Sequence, residues 1–379
     1  MVNKKVGLVT YYGDNYGGCL QAYALQQTIK ALGYDPKILQ VSVSLKGAAS
    51  SRLASVLRLL RNPVAFLRRR KYIIANTKNS VIRSQAFERF RSEFLSFDRS
   101  SMLCSEKMLG DGGYNVFVCG SDQIWNPNLY GVHPIWTMTF APEGAKKIAY
   151  APSLGVSSIP DEYIVGFQEN LKDYTYISCR EQEGASCLSK ILGKKVDVVL
   201  DPTLLLSPDK WHDFARPVDI KKPYVFCYLF GDYDYIATVK KIVKAYYGLD
   251  IVCLPYNLRE LKATDLKLYD ITPNQFVWLI ENATCVVTDS FHATVFSIKM
   301  NTPFVSLKRT SDNDKKNMNS RLYTLLKTVG LENRLVGENM VDDVVGILST
   351  EMDFKTANER LSDYIKRDIT KLETAITHE

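Results

Sequence analysis

Short apolar runs rich in Val, Ile, Tyr and Phe alternate with segments of helical periodicity along most of the chain. VGLVT (6–10) leads into a glycine-bearing loop and a helical pattern from about Cys19 to Leu32, closed by Gly33. NVFVCG (115–120), KIAYAP (147–152), YISC (176–179) and VDVVLD (196–201) follow as strand signals. After the Pro-punctuated DPTLLLSPDKW the alternation restarts, with YVFCYLFG (224–231), DIVCLP (250–255), CVVTDS (285–290) and PFVSL (303–307). Helical patterns near 235–247, 273–282 and 291–300 separate these runs. Repeated strand–helix alternation dictates an α/β chain with parallel sheets covered on both faces. At 379 residues the chain is too long for one compact core and fits two domains. The break near 201–211 divides it into an N-terminal domain over 1–205 and a C-terminal domain over 206–379. Two such halves face each other across a cleft, and ligands bind at the carboxyl ends of the strands. The last segment, about Lys355 to Thr374, is a polar amphipathic helix that can cross back onto the first domain.

One stretch breaks the alternation. Between Arg52 and Arg91 eleven basic residues stand against a single acidic one, Glu88, while the whole chain carries only +7. The body is therefore near neutral and the excess charge belongs to an insertion over about 50–97. ASVLRLLRNPVAFLRRRKYIIA mixes apolar residues with arginine at roughly helical spacing. Such a helix can lie on an anionic membrane surface. The alternative is a solvated helical insertion whose arginines pair elsewhere. Nucleic-acid binding is not expected, because no recognised module or aromatic stacking platform accompanies the charge. No apolar run of 18 residues or more exists, so no transmembrane helix is expected. The N-terminus lacks the apolar core of a signal peptide. Eight cysteines form no CxxC pair and several sit inside strand-like runs. This composition predicts free thiols in a reducing cytoplasm, with no zinc site and no disulfide framework.

Only four histidines are available for chemistry. His378 is in the tail, His133 in an irregular Gly/Pro segment, and His212 follows Trp211 at a helix start, where a local structural role is expected. His292 differs. It follows the strand CVVTDS and opens the next helix, at the carboxyl end of a strand facing the cleft. That position suits either acid/base chemistry or capping, and a helix N-terminus there favours anions. Other strand-end loops carry Gly13, Gly17 and Gly18, then GSDQIWNP, then Arg180 in SCREQEG, and finally the basic LKRTSDNDKKNMNSRL. Glycines in the first loop admit a phosphate or sugar, or simply make a tight turn. Arg180 can clamp an anion or serve as a salt-bridge partner. GDYDY (231–235) superficially resembles a metal-binding DxD, and a metal there is not expected.

NYGGCLQAYALQQTIKALGY, VCGSDQIWNP, SCREQEGASCLSKILG, LDPTLLLS and VVTDSFHATVFSIKMNTPFV, in this order and spacing, resemble the polysaccharide pyruvyl transferase family. The GSDQIWN and DSFHATVFS elements are the most specific, and the DPT element alone is weak. The resemblance implies two Rossmann-like domains facing a cleft in a glycosyltransferase-B-like arrangement. It also implies transfer of pyruvate from phosphoenolpyruvate to two hydroxyls of a glycan sugar, as a cyclic ketal. Capsular, exopolysaccharide or cell-wall glycans, often on lipid-linked precursors, are the acceptors so implied, which places the protein in the cytoplasm; the inner face of the membrane is the expected location only if the basic insertion docks there.

By the same resemblance His292 is the family's histidine and Arg180 its strand-end arginine. Many relatives carry an arginine where this chain has Ser290, and some a lysine where it has Asp312. The donor side is therefore assigned to Ser290, Lys308, Lys315 and Arg321, built differently from those relatives. Asn15, Gly18, Ser121 and Asp122 are assigned to the acceptor side. No metal or organic cofactor is required. Two rival readings remain: a nucleotide-sugar glycosyltransferase on the same fold, and a non-catalytic glycan-binding relative.

Overall fold

The structure, a computed structural model, describes residues 4–41, 67, 70–74, 76–104, 107–109, 112–221, 223–262, 265–309 and 319–377. Residues 52–66, 68 and 69 of the basic segment lie outside these, as do Asp312, Lys315 and His378.

The first sheet contains β1 (Lys5–Val9), β2 (Asp35–Val41), β3 (Phe97–Cys104), β4 (Lys107–Leu109), β5 (Val116–Cys119), β6 (Lys146–Ala149), β7 (Tyr176–Cys179) and β8 (Asp197–Val198). Their order is β4-β3-β2-β1-β5-β6-β7-β8, parallel apart from the β3–β4 pair. The second sheet contains β9 (Val225–Tyr228), β10 (Ile251–Cys253), β11 (Leu266–Lys267), β12 (Cys285–Thr288), β13 (Phe304–Leu307) and β14 (Leu335–Val336), in the order β11-β10-β9-β12-β13-β14, all parallel. Each sheet reverses direction of winding once, at β1/β5 and at β9/β12. These are the switch points where α/β sheets leave a crevice at their carboxyl ends. The central strands β9, β12 and β13 are buried on both faces, which is why they are mostly apolar, with Thr288 and Ser306 as the polar exceptions.

Six helices position the site: α1 (Tyr16–Ala31), α2 (Thr77–Phe94), α3 (Gln182–Leu192), α4 (Phe291–Lys299), α5 (Ser320–Val329) and α6 (Phe354–Thr377). Asn15 caps α1 by accepting from Gly18 N at 2.9 Å. Gly17 and Gly18 therefore lie in the first helical turn and not in the preceding loop, so α1 begins three residues before the Cys19 expected from the pattern. The helix is buried on nearly every side because it lies between the two sheets. Tyr16 stacks on Phe276 with centroids 4.6 Å apart and donates to Ile271 O at 3.1 Å. Val6, Leu8 and Val118 of the first sheet share one apolar cluster with Phe226 and Val286 of the second.

The described part of the basic segment is tied down at its C-terminal end. Arg83 is buried, donates to Pro255 O at 2.8 Å and lies 4.1 Å from the centre of the Tyr256 ring. Arg91 pairs with Asp14 and Glu88, and Arg89 with Asp270. The last helix returns to the first domain: Asp368 accepts from Leu200 N at 2.8 Å and Lys371 meets Asp197 at 2.7 Å. Seven cysteines among the described residues are free thiols. No described helix is long and apolar enough to cross a membrane.

Candidate functional site

The site is assembled where β7, β8 and β12 end. Thr288 at the end of β12 donates to Tyr228 O at 2.6 Å and accepts from Ser290 N, fixing the exit from the strand. The Asp289 carboxylate accepts from Phe230 N and Gly231 N, so it fastens the adjacent β9 loop. Ser290 Oγ accepts from Ala293 N at 3.5 Å and caps α4. Ser290 is thereby a structural cap, and His292 occupies the first turn of the helix it starts.

The imidazole points across the domain junction. Its Nε2 lies 3.4 Å from Asp201 Oδ2, an ion-pair distance slightly long for a direct hydrogen bond. On its other side it packs against α1. A Cβ on Gly17 would lie 2.0 Å from His292 Nδ1, so only glycine leaves room for the ring.

Asp201 is the hub. It is 1% exposed and caps the short helix Pro202–Leu205, with Oδ1 accepting from Thr203 N and Oγ1. Its Oδ2 receives Arg180 Nη1 at 2.6 Å and Ser121 Oγ at 3.0 Å. Burial alone would raise this carboxyl. The proximity of His292, then the Arg180 charge, then the Thr203 hydrogen bond outweigh that effect and hold it well below the usual carboxylate range.

Arg180 leaves β7 and is buried, with its guanidinium 4.3 Å from the centre of the Phe291 ring. Burial opposes its charge, but Asp201, Asp122 and Glu181 more than compensate and raise it. Its Nη2 is 3.8 Å from Asp122 Oδ1, and neither Nη2 nor Nε has a hydrogen-bond partner. Buried N–H groups without partners are rare and mark a place for a ligand or water. Glu181 accepts from Ser153 Oγ, Leu154 N and Gly155 N, anchoring the loop beside it. Gln21 of α1 accepts from Ser121 N and donates to Tyr11 O and Gly18 O, locking the loops after β1 and β5 to the first turn of α1.

Beside this cluster lies a cavity of about 580 Å³. Arg180, Asp201, Phe291 and Arg321 line one part of it; Tyr323 and Tyr364 line another. Arg321 sits 5.9 Å from the Phe291 ring centre, so two guanidinium groups share that ring. Burial, and then repulsion from Arg180, lower Arg321 to about 10. Two buried cations close together make a site that an anion would relieve.

The structure thus brings His292, Arg180, Ser121, Asp122 and Arg321 together. Asn15 and Gly18 are at the start of α1 nearby, and none of Asn15, Gly18, Ser121 or Asp122 lines the cavity. Lys308 stands 5.1 Å from the Tyr323 ring centre, outside the cavity lining. His212 pairs with Glu281, and His133 accepts from Ile135 N. In GDYDY both aspartates pair with Arg259. Among the described residues no group of three His, Cys, Asp or Glu side chains could hold a metal. Sequence reasoning gave no role to Asp201 or Gln21. The only trace of Asp201 was Asp-Pro-Thr after a strand, which also fits an ordinary helix start.

A family model described as polysaccharide pyruvyl transferase matches residues 15–311. No curated protein matches the chain. Among solved structures, a Listeria monocytogenes protein provisionally named a UDP-N-acetylglucosamine 2-epimerase is 11% identical with a TM-score of 0.51, covering 100% of this chain and 98% of that one. The Methanocaldococcus jannaschii UDP-GlcNAc 2-epimerase in complex with UDP-GlcNAc and UDP is 13% identical, with a TM-score of 0.48 and 97% and 99% of the chains covered. At 11% identity the likeness to the Listeria monocytogenes protein is one of fold: two parallel-sheet α/β domains in a glycosyltransferase-B-like arrangement.

Proposed function

The chain belongs to the polysaccharide pyruvyl transferase family, and from that premise we propose that it moves pyruvate from phosphoenolpyruvate onto two hydroxyls of a glycan sugar. The observation that carries this reading is the pairing of Arg180 and His292 on a single oxygen of buried Asp201, beside a cavity that also holds Arg321. A small trianionic donor needs cations for phosphate and carboxylate and a proton for its methylene carbon. This cluster contains both kinds of group.

In the proposed reaction Arg180, through its unpartnered Nε–H and Nη2–H, and Arg321 hold the donor's anionic groups. Asp201 keeps one edge of Arg180 occupied and stands 3.4 Å from His292 Nε2; with Nδ1 turned to Gly17, the unpartnered Nε2 is the nitrogen that exchanges a proton with substrate. His292 delivers a proton to C3 of the enol phosphate. C2 becomes cationic and is attacked by one sugar hydroxyl, whose proton returns to the imidazole. The C2–O phosphate bond then breaks, and a second hydroxyl closes the ketal as its proton leaves with phosphate. One of the two hydroxyl protons ends in the new methyl group through His292 and the other on inorganic phosphate. General acid–base help of this kind supplies about 10²–10⁴ in rate.

The acceptor is proposed to be lipid-linked and presented at an anionic membrane. Support comes from the basic segment together with exposed Leu67, Ile73, Ile74 and Val81, which stand beside exposed Lys71 and Lys78. A cationic, partly apolar face suits an interfacial helix.

Incubation with labelled phosphoenolpyruvate and a lipid-linked oligosaccharide extract tests the reaction directly. A glycan product heavier by one pyruvyl ketal, with release of phosphate, is the expected outcome. Thermal stabilisation by UDP-, GDP- or CMP-sugars but not by phosphoenolpyruvate would replace this reading with glycosyl transfer.

A further inference from the structure

The cavity is far larger than a three-carbon phosphate ester requires, and its two parts differ in character. The part around Arg180, Arg321 and Asp201 is charged and buried. The other part is walled by Tyr323 and Thr324 of α5 and by Tyr364 and Arg367 of α6. The two tyrosines are 38% and 37% exposed. Tyr364 is held in place by Arg367, whose guanidinium lies 4.6 Å from the ring centre. Arg367 is itself fixed, since Nε donates to Asp368 at 2.7 Å and Nη2 donates to Val198 O at 3.0 Å. Tyr323 has the Lys308 ammonium 5.1 Å from its ring centre. These rings are therefore partly exposed and braced before any ligand arrives.

A sugar ring presents an apolar C–H face bordered by hydroxyls. A tyrosine matches it with a flat apolar face that costs little conformational entropy to order. Threonine and arginine at the edge supply hydrogen bonds for the hydroxyls. Both tyrosines also lie beyond residue 311, outside the stretch matched by the family model. Of the residues proposed for the donor chemistry, Arg180 and His292 lie inside it and Arg321 lies outside it.

We propose that Tyr323 and Tyr364, edged by Arg367, form the platform on which the acceptor sugar stacks, and that acceptor selectivity resides in α5 and α6. This rests on the pyruvyl-transfer reading for the identity of the other substrate. It places the acceptor against the C-terminal wall of the cavity, not against the Asn15 and Ser121 loops.

The test uses the full chain and a panel of 2-aminobenzamide-labelled neutral di- and trisaccharides, with affinity read by fluorescence anisotropy. Phosphoenolpyruvate is scored separately by thermal shift. Y323A and Y364A are expected to bind the sugars at least tenfold more weakly, with the phosphoenolpyruvate shift unchanged. Y364F is expected to bind them as the wild type does, because the ring face and not the hydroxyl makes the contact. Saturation-transfer NMR on the wild type, expected to show the sugar C–H protons nearest the protein, covers the case of a variant that fails to fold. The proposal is overturned if the wild type binds none of the panel, if both alanine variants keep sugar affinity within twofold, or if nucleoside diphosphates bind in a tyrosine-dependent way in place of sugars. Should phosphoenolpyruvate give no shift while tyrosine-dependent sugar binding persists, the donor reading fails and the platform stands.

Discussion

Gly17 of the first domain and His292 of the second are in such close contact that a methyl group on Gly17 would lie 2.0 Å from the imidazole Nδ1. The glycine occupies the first turn of α1, where alanine is the better helix former by about 1 kcal/mol. Its presence there is explained by the ring, not by the helix. Gly17→Ala is expected to push the imidazole off Asp201, lowering kcat at least tenfold while the KM for phosphoenolpyruvate moves less than threefold. Steady-state kinetics with a thermal melt as folding control checks this. An unchanged kcat would mean that the ring position has no bearing on turnover.

Asp201→Asn leaves the buried Arg180 guanidinium without its nearest counter-ion, 2.6 Å away, and among the described residues only Asp122 at 3.8 Å still pairs with it. Breaking a buried pair from one side costs about 3–5 kcal/mol, and urea unfolding should show that loss at neutral pH. The pH dependence has a definite sign. A carboxyl held low in the folded state contributes stability that is present above the unfolded value, near ~3.9, and is lost as pH falls through the folded one. The deficit of the Asn variant should therefore be constant from neutral pH to about 4 and shrink below that. Equal stabilities at pH 7 would show that Asp201 is not an ion-pair hub.

Lys299 ends α4 and reaches across to the first domain, where Nζ donates to Leu204 O at 2.9 Å. Burial pushes this amine down to about 8. A lysine lowered in the folded state weighs against folding while it is charged, and stability rises as pH passes from the folded to the unfolded value. Relative to Lys299→Met, the wild type should gain on the order of 3 kcal/mol between pH 7 and 10.5. Urea unfolding of both proteins across that range measures the difference. A constant gap would mean that the amine is not desolvated.

Exposed Ile74 and Val81 are seven residues apart, with exposed Lys78 between them. If this face meets an anionic bilayer, Ile74→Ser with Val81→Ser should cut co-sedimentation with phosphatidylglycerol-containing liposomes severalfold. Turnover of a short soluble acceptor should be preserved. Equal liposome binding by the double variant would return the segment to a solvated surface.

Much of this architecture can be read directly from the chain. Strands buried on both faces, such as β9, β12 and β13, are predominantly apolar runs, and the start of α4 lies where SFHATVF indicates it. Strand β2 was less visible because DPKILQV is only partly buried and mixes polar with apolar residues. Strand β8 is shorter than VDVVLD suggests, since only Asp197 and Val198 pair with β7. His292 and Arg180 could be singled out because histidine is scarce and arginine at a strand end is conspicuous. Their shared partner could not, because Asp201 lies 91 positions from His292 in the chain and its local pattern is that of a helix cap. The cavity's tyrosines were equally hidden: Tyr323 and Tyr364, 41 positions apart in the chain, line one cavity because α6 packs against α5.

The account's central claim is that His292 exchanges the proton that converts the donor methylene into a methyl group. The direct measurement follows phosphoenolpyruvate and a glycan acceptor with His292→Ala, scoring ketal formation by mass shift and donor binding by thermal shift. The account predicts a loss of about 10²–10⁴ in turnover with phosphoenolpyruvate still bound by Arg180 and Arg321. Turnover within a few-fold of the wild type would contradict it.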